Sequence, residues 1–233
     1  MTSLPLELVR TYARITGLLY LIIIVCAGFS QGYVRATLIT PGDPAATAAA
    51  IQGAEGLFRL GLVADLIAFL ADAAVAVLFY VLLKPVSRTL SLIAAVFRLI
   101  AHPAIGSLNL LNHWAGLLLL GGGGSLTAFE PAQLEALSLL ALDLHGYGYL
   151  IAGAFFGVHC ALLGYLLFRS ELFPRLLGLL LAAAAVGYVT ESFTHFAAPA
   201  YADLGSAMVV LTATVAEVGL CLYLIVRGVR TTG

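Results

Sequence analysis

The chain has 233 residues, of which 62% are hydrophobic and only 10% are charged, and its mean hydropathy is +1.06. A soluble domain keeps roughly a quarter of its residues charged, so a soluble fold of this length would have almost no solvated surface. A lipid bilayer removes the need for that surface, and the composition therefore predicts a membrane protein. The formal net charge of −1 offers no basic face to a nucleic-acid backbone, so nucleic acid is not a predicted partner.

Long apolar segments recur along the chain at lengths that suit helices crossing a bilayer, which takes about 20 residues. Turn-forming and charged residues separate them, such as Pro41 and Gly42 in the first connection and Lys84 and Pro85 in the second. The chain is therefore predicted to form an all-α polytopic transmembrane helix bundle, one domain over residues 1–233. Its six spans are expected at about 15–34, 57–83, 90–120, 143–168, 176–196 and 204–226.

Local signals refine this outline in chain order. Asp43 followed by Pro44 predicts a helix N-terminus, with Asp43 as the N-cap and the proline at the first helical position. Pro103 lies inside the third span, where apolar periodicity continues on both sides, so a bend is expected there rather than a helix end. Pro131 starts a helix whose first part, about 132–144, is expected outside the membrane or at its interface before the fourth span begins.

Cations are distributed unevenly over the two ends of these spans. Basic residues in short loops are retained on the cytoplasmic side of the membrane. Arg35 and Arg59 lie near one end of the spans. The other end carries Arg10, Arg14, Lys84, Arg88, Arg169, Arg175, Arg227 and Arg230. This asymmetry predicts that both termini face the cytoplasm (N-in, C-in).

Five stretches of the sequence resemble a known protein family, namely 13–21, 57–66, 82–86, 164–170 and 174–178. On these stretches, which extend over nearly the whole chain, the protein resembles a family of bacterial six-span integral membrane proteins that is catalogued only as a domain of unknown function. The resemblance implies six helices and a multi-pass location in a bacterial inner (plasma) membrane. It implies no activity.

Ionisable residues inside the spans are costly in hydrocarbon, so they are expected to be paired or functional. A helical rise of about 1.5 Å per residue places Asp72 about 18 Å from the cationic end of its helix. Arg98, His159 and Glu217 lie about 15 Å from theirs. Arg98 is therefore expected to pair with Asp72, Glu217 or both near mid-membrane, with His102 one turn further along the same helix face. A buried ion-pair network that fixes helix order and a path for protons or small solutes both fit this layer.

A second layer of polar residues is predicted nearer the opposite end of the spans. Polar groups are poor neighbours for lipid, so a bundle should turn them inward. They are expected to line one outward-facing cavity. The residues concerned are Asp65, Asn109, His113, His145, Glu191 and His195.

Three histidines of this layer suggest a metal or cofactor site. His113, His145 and His195 belong to three different spans, and Asp65 or Glu191 would add an oxygen ligand. Three imidazoles and one oxygen suit zinc or another divalent metal, whereas two axial imidazoles suit a haem. The alternative is that each histidine is hydrogen-bonded separately to a neighbouring helix or lies in the interface.

Aromatic residues near the same end of the spans are typical of an interfacial belt. Their rings are expected at the level of the lipid headgroups rather than around a ligand. These residues are Trp114, Tyr147, Tyr149, Tyr188 and Tyr201.

Two functional hypotheses of different class fit these layers. In the first, the protein is a membrane-embedded enzyme that uses the His/carboxylate layer, with a metal or haem, on a lipid-like substrate. In the second, it is a non-enzymatic transport or accessory protein that uses the central Arg/carboxylate layer for proton or small-solute passage. Membrane lipid is the predicted partner in both.

Overall fold

The computed structural model describes residues 5–230, apart from the side chain of residue 125, and all of their regular secondary structure is helical. The helices in chain order are α1 (Leu6–Leu38), α2 (Pro44–Gly53), α3 (Glu55–Leu83), α4 (Arg88–Leu120), α5 (Pro131–Arg169), α6 (Arg175–Ala197) and α7 (Ala202–Val226). All except α2 belong to segments long and apolar enough to cross a membrane, which makes six candidate spans. The predicted all-α, six-span architecture is confirmed.

The helix starts agree with the turn chemistry of the sequence. Asp43 is the N-cap of α2, where its side chain accepts a hydrogen bond of 2.9 Å from the backbone N–H of Ala46, and Pro44 occupies the first turn. Helix α5 begins at Pro131 behind a reciprocal capping box between Glu130 and Gln133. Both predicted starts are therefore confirmed. Helix α5 has 39 residues, and a helix of that length measures about 58 Å, so it extends well beyond a hydrocarbon core of about 30 Å.

Two membrane helices contain a wider π-helical stretch. Helix α4 passes through Pro103 without ending, and residues Ile100–Gly106 around the proline are π-helical. The wider turn accommodates a residue that has no N–H to donate. Helix α1 has a second π-helical stretch at Gly28–Arg35. Such stretches occur frequently at functional sites, and both lie beside the polar clusters described below.

The six long helices form a closed ring. Each contacts its neighbours in chain order, and α1 also contacts α7. The outer surface of the ring is apolar, with Leu70, Leu108 and Leu211 between 67% and 70% exposed, whereas Asp65, Asp72 and other charged groups are buried inside. A surface of this kind is matched to lipid rather than to water.

The two ends of the ring are closed by apolar side chains. The terminal face, defined here as the end that carries both chain termini, is tied together by a 2.8 Å hydrogen bond from the Arg230 N–H to the Leu172 carbonyl. Its buried leucines include Leu82, Leu83, Leu166, Leu167 and Leu224. The opposite face is covered by α2 and by a second apolar cluster of Val34, Leu38, Ile51, Phe58, Leu117 and Leu142. The polar interior therefore lies between two apolar layers.

Candidate functional site

Polar side chains from all six membrane helices meet inside the ring. We call this set the central network. Four of its members, Tyr20, Asp72, Arg98 and His159, are almost completely buried. The members are Tyr20 on α1, Asp72 on α3, Arg98 and His102 on α4, His159 on α5, Tyr188 on α6 and Glu217 on α7.

Arg98 is the centre of this network, and every nitrogen of its guanidinium group has a partner. Its Nε donates to Asp72 Oδ1 at 2.8 Å, and its Nη2 donates to the same oxygen at 2.5 Å. Its Nη1 donates to His159 Nε2 at 3.0 Å. The guanidinium carbon also lies 4.9 Å from the ring centroid of Tyr20 and 5.1 Å from that of Phe156. The buried cation is thus stabilised by a carboxylate, an imidazole and two aromatic faces.

His159 contacts Arg98 with its imidazole in one defined tautomer. Its Nδ1 lies 2.9 Å from the backbone carbonyl of Ala94, and a carbonyl can only accept, so Nδ1 carries the hydrogen. Its Nε2 faces Arg98, which can only donate, so Nε2 carries a lone pair. The neutral Nδ1–H imidazole therefore satisfies both neighbours and has no free nitrogen.

The second oxygen of Asp72 is the exception in the network. Asp72 Oδ2 is buried and makes no hydrogen bond with any described residue. His102 Nδ1 lies 3.6 Å from this oxygen, just beyond hydrogen-bond distance. The His102 ring is parallel to Phe69 at 6.1 Å and lies 4.8 Å from Phe156. Aromatic neighbours therefore hold an imidazole nitrogen near a free carboxylate oxygen.

Glu217 joins the network through tyrosines and not through a direct ion pair with Arg98. Tyr20 donates to Glu217 Oε2 at 3.0 Å, and Tyr188 donates to Oε1 at 2.5 Å. Because the Tyr20 ring lies against the Arg98 guanidinium, that tyrosine connects the two charges. Tyr188, predicted as part of an interfacial belt, instead points its hydroxyl into the bundle, and that prediction is wrong for this residue.

A second polar cluster lies between the central network and the opposite face. We call it the Asp65 cluster. It joins the central network through Tyr149, whose ring centroid is 6.2 Å from that of His102. Its members are Ser30, Gln31 and Arg35 on α1, Asp65 on α3, Asn109 and His113 on α4, and His145 and Tyr149 on α5.

Asp65 is completely buried and only half satisfied. Gln31 Nε2 donates to Asp65 Oδ2 at 2.8 Å, whereas Asp65 Oδ1 has no partner among the described residues. The hydroxyls of Ser30 and Tyr149 lie beside this carboxylate, and neither makes a hydrogen bond of acceptable geometry. Arg35 forms no ion pair with Asp65 among residues 5–230, and its Nη2 donates to the Leu142 carbonyl at 3.0 Å.

Asn109 and His145 join α4 to α5 by two reciprocal bonds. Asn109 Nδ2 donates to the His145 carbonyl at 2.7 Å, and His145 Nδ1 donates to the Asn109 carbonyl at 3.0 Å. His113 Nε2 lies 3.2 Å from the Phe58 carbonyl and donates to it. The remaining ring nitrogens, His113 Nδ1 and His145 Nε2, are buried without a partner among residues 5–230.

The Asp65 cluster therefore concentrates unpaired polar atoms in one place. In folded proteins more than 90% of buried polar groups have a hydrogen-bond partner, so such a concentration requires an explanation. The unpaired atoms include both donors and acceptors. They are Ser30 Oγ, Arg35 Nη1, Asp65 Oδ1, His113 Nδ1, His145 Nε2 and Tyr149 OH.

Comparison with known proteins identifies one family that matches most of the chain. The family described as "Domain of unknown function (DUF4386)" matches residues 15–228. The chain belongs to this family. It is also 34% identical over 125 residues to a protein of Archaeoglobus fulgidus named "Uncharacterized protein", an alignment that covers 54% of the chain and 60% of that relative. No solved structure matches the chain. The resemblance to a family of unknown function is thereby confirmed.

In this DUF4386 protein the six residues predicted to line one cavity fall into two groups. The structure brings Asp65, Asn109, His113 and His145 together, as described above. Glu191 and His195 lie apart from them, where Glu191 Oε1 accepts a 3.1 Å bond from Ser206 on α7. His195 Nδ1 lies 3.0 Å from the Glu191 carbonyl of its own helix. The single cavity expected from the sequence is corrected to a cluster of four of the six residues.

The metal site predicted at His113, His145 and His195 is not formed. Among residues 5–230 no group of three or more His, Cys, Asp or Glu side chains is arranged to hold a metal ion. The reason is the order of helices in the ring, since α5 stands between α4 and α6 and keeps His195 away. The rings of His113 and His145 meet edge to face with centroids 5.5 Å apart, which leaves no space for a flat haem between them.

Several members of the two clusters were not among the site residues predicted from the sequence. Ser30, Gln31 and Arg35 are polar residues at the end of the first apolar span, and their short spacing was the available signal. Tyr20 and Tyr149 gave no such signal, because a tyrosine in an apolar span suits an interfacial belt as well as a buried hydrogen bond.

Proposed function

We propose that this DUF4386 protein is a membrane transport or accessory protein whose central network binds and releases a proton near the middle of the membrane. The observation that carries the proposal is the free oxygen of Asp72, which makes no hydrogen bond with any described residue and lies 3.6 Å from His102 Nδ1. A carboxylate oxygen and an imidazole nitrogen at this separation can share a proton after a small movement of the histidine ring.

The formal charges of the network support proton binding. Asp72 and Glu217 each contribute −1 and Arg98 contributes +1, so the network carries −1 when its histidines are neutral. An excess charge in hydrocarbon is unfavourable. One proton, on the pair of His102 and Asp72 or on Glu217, makes the network neutral. The uptake of a single proton is therefore the simplest way to neutralise this interior.

A route for that proton leads toward the opposite face. The His102 side chain is 20% exposed, compared with 2% for Asp72, so the histidine is the less buried member of the pair. Tyr149 lies next to His102 and to His145, at a ring distance of 5.1 Å. His145 Nε2 has a free lone pair, because the hydrogen is on Nδ1. These groups form a series of proton acceptors and donors from the Asp65 cluster to the central network.

The terminal face of the network is closed by the leucines of the apolar core. Complete passage across the membrane would require these side chains to separate, as in alternating access. The enzyme hypothesis depended on a metal or haem at the three histidines, and their arrangement does not favour it. We therefore propose a role in membrane transport and not an enzymatic reaction on a lipid-like substrate.

Proton flux into liposomes that contain the purified full-length protein tests this proposal. The vesicles enclose a pH-sensitive dye, and a potassium diffusion potential drives protons inward. We expect the protein to accelerate acidification, and we expect His102→Gln to reduce the rate at least about tenfold, since proton transfer by a positioned side chain typically contributes 10²- to 10⁴-fold. Because His102 forms no hydrogen bond with Asp72, the variant should still fold.

The matched control is His195→Gln, which removes an imidazole from α6 outside both clusters and should leave the flux unchanged. Two results would contradict the proposal: a wild-type rate equal to that of empty liposomes, or equal rates for His102→Gln and the wild type.

A further inference from the structure

Asp65 is a buried carboxylate without a counter-ion. It is fully inaccessible, and none of the ion pairs among residues 5–230 includes it. An isolated carboxylate inside a membrane protein is strongly unfavourable. Its Gln31 bond provides a hydrogen but no positive charge, so a further group is needed to neutralise it.

Arg35 does not supply that charge directly. Its Nη2 donates to the Leu142 carbonyl, and it is near two acidic groups, Asp65 and the exposed Asp143. Arg35 forms no ion pair with either carboxylate among residues 5–230. A single positive charge in contact with Asp65 would therefore supply the missing ion pair.

The two hydroxyls beside the Asp65 carboxylate are suited to a small cation. Ser30 Oγ and Tyr149 OH lie beside the carboxylate but outside hydrogen-bond geometry, and both are buried and unpaired. Oxygen ligands of one carboxylate and neutral groups suit a hard cation. Because one carboxylate supplies only one negative charge, a monovalent ion matches the site better than a divalent one.

We propose that Asp65 Oδ1, Ser30 Oγ and Tyr149 OH bind a small monovalent cation of the size of Na⁺ between α1, α3 and α5. Ser30 belongs to the π-helical stretch Gly28–Arg35, which places this hydroxyl opposite α3 and α5 at a break in regular helix geometry. The site is separate from the pair of His102 and Asp72. It does not depend on proton transfer at that pair.

Thermal unfolding of the purified full-length protein in detergent is the test. Unfolding midpoints are compared in NaCl and in choline chloride at equal ionic strength and pH, because a ligand that binds only the folded state raises the midpoint as its concentration increases. We expect a rise in NaCl that is absent in choline chloride and is lost in Asp65→Asn. Glu191→Gln is the matched control, since it neutralises a carboxylate outside the cluster, and it should keep the full response.

Two further variants keep the test decisive if Asp65→Asn fails to fold. Ser30→Ala and Tyr149→Phe each remove one ligand oxygen while the carboxylate remains, and each should weaken the binding of radioactive sodium by roughly 10-fold or more. His102→Gln should bind sodium as the wild type does, which separates this proposal from that of proton transfer.

Three results would overturn the cation site. The first is an equal response to sodium and choline, which indicates ionic strength alone. The second is an undiminished sodium response in Asp65→Asn. The third is a midpoint that rises on acidification and not with sodium, because a proton would then be the group that neutralises Asp65.

Discussion

The central network and the Asp65 cluster are both buried among apolar helices, but they differ in how completely their hydrogen bonds are made. In the central network Arg98 uses all its nitrogens, and Glu217 accepts from two tyrosines. Its unpaired atom is Asp72 Oδ2. In the Asp65 cluster six polar atoms are unpaired, although the cluster is of similar size and depth of burial.

This difference separates a region that is mainly structural, with one free oxygen for a proton, from a region suited to bind a larger polar ligand. A fully satisfied polar network is rigid and specifies one arrangement of its helices, and the central network receives a side chain from each of the six. An incompletely satisfied cluster is less favourable on its own and gains most from a polar ligand. We infer that Arg98 and its partners hold the ring together and leave Asp72 Oδ2 for the proton, whereas the Asp65 cluster receives an ion, with Tyr149 and His102 between the two regions.

The side from which the Asp65 cluster is reached depends on the orientation of the protein, and a reporter fusion gives an all-or-none result. We expect a reporter fused after Arg230, or inserted in the turn at 84–88, to be cytoplasmic, because the terminal face carries the excess of cations. A reporter in the 121–124 loop should be external. Two reporter enzymes are used, one active only in the cytoplasm and one active only outside it, and the activity of each fusion is measured.

That orientation would let external ions reach the Asp65 cluster before the central network. An external C-terminus would reverse this order, and the direction proposed for proton movement would reverse with it.

Removal of Arg98 should produce the largest loss of stability. Arg98→Leu leaves Asp72 buried without its partner, and breaking a buried pair in this way costs about 3–5 kcal/mol. The double variant Arg98→Leu/Asp72→Leu should recover part of that loss, because it removes the stranded charge. The free energy of unfolding of each variant, measured reversibly in mixed micelles, tests this.

The matched control for Arg98→Leu is Arg59→Leu. Arg59 forms an exposed pair with Glu55 at 2.6 Å, and exposed pairs contribute about 1 kcal/mol or less. Simple additivity of the two single losses in the Arg98→Leu/Asp72→Leu variant would show that the pair is not coupled.

The sequence alone was sufficient for the features that depend on one helix at a time. Segment lengths predicted six spans, and Asp43 and Pro131 marked helix starts. Counting residues from the cationic ends also placed Asp72 and Arg98 at similar depth, because helical rise converts sequence position into height. The structure brings these two side chains into contact.

Features that depend on which helices are neighbours could not be obtained in this way. Equal depth suggested that His195 would meet His113, but depth does not give the angular position of a helix in a ring, and α5 separates them. The same limit applied to Tyr149 and Tyr188, whose inward direction depends on rotation of α5 and α6. The π-helical stretch at 28–35 has no sequence signal as strong as a proline, so the convergence of Ser30 and Asp65 was not predicted.

The smallest effect is expected from an isosteric change in the Asp65 cluster, and it gives the sharpest comparison of the two regions. Asp72→Asn weakens two charge-assisted bonds to Arg98, and bonds to charged groups contribute about 1.5–3 kcal/mol each, so we expect a loss of at least about 2 kcal/mol. Asp65→Asn removes a buried charge that forms no ion pair among the described residues and can keep the bond to Gln31, so in choline chloride we expect no loss of stability. Addition of NaCl should then stabilise the wild type and Asp72→Asn but not Asp65→Asn, which widens the difference between the wild type and Asp65→Asn by the free energy of cation binding. Chemical unfolding of the three proteins in NaCl and in choline chloride measures each of these differences in the free energy of unfolding. Equal losses for Asp65→Asn and Asp72→Asn in choline chloride would mean that both carboxylates are structural, and the distinction between a rigid network and a binding cluster would fail.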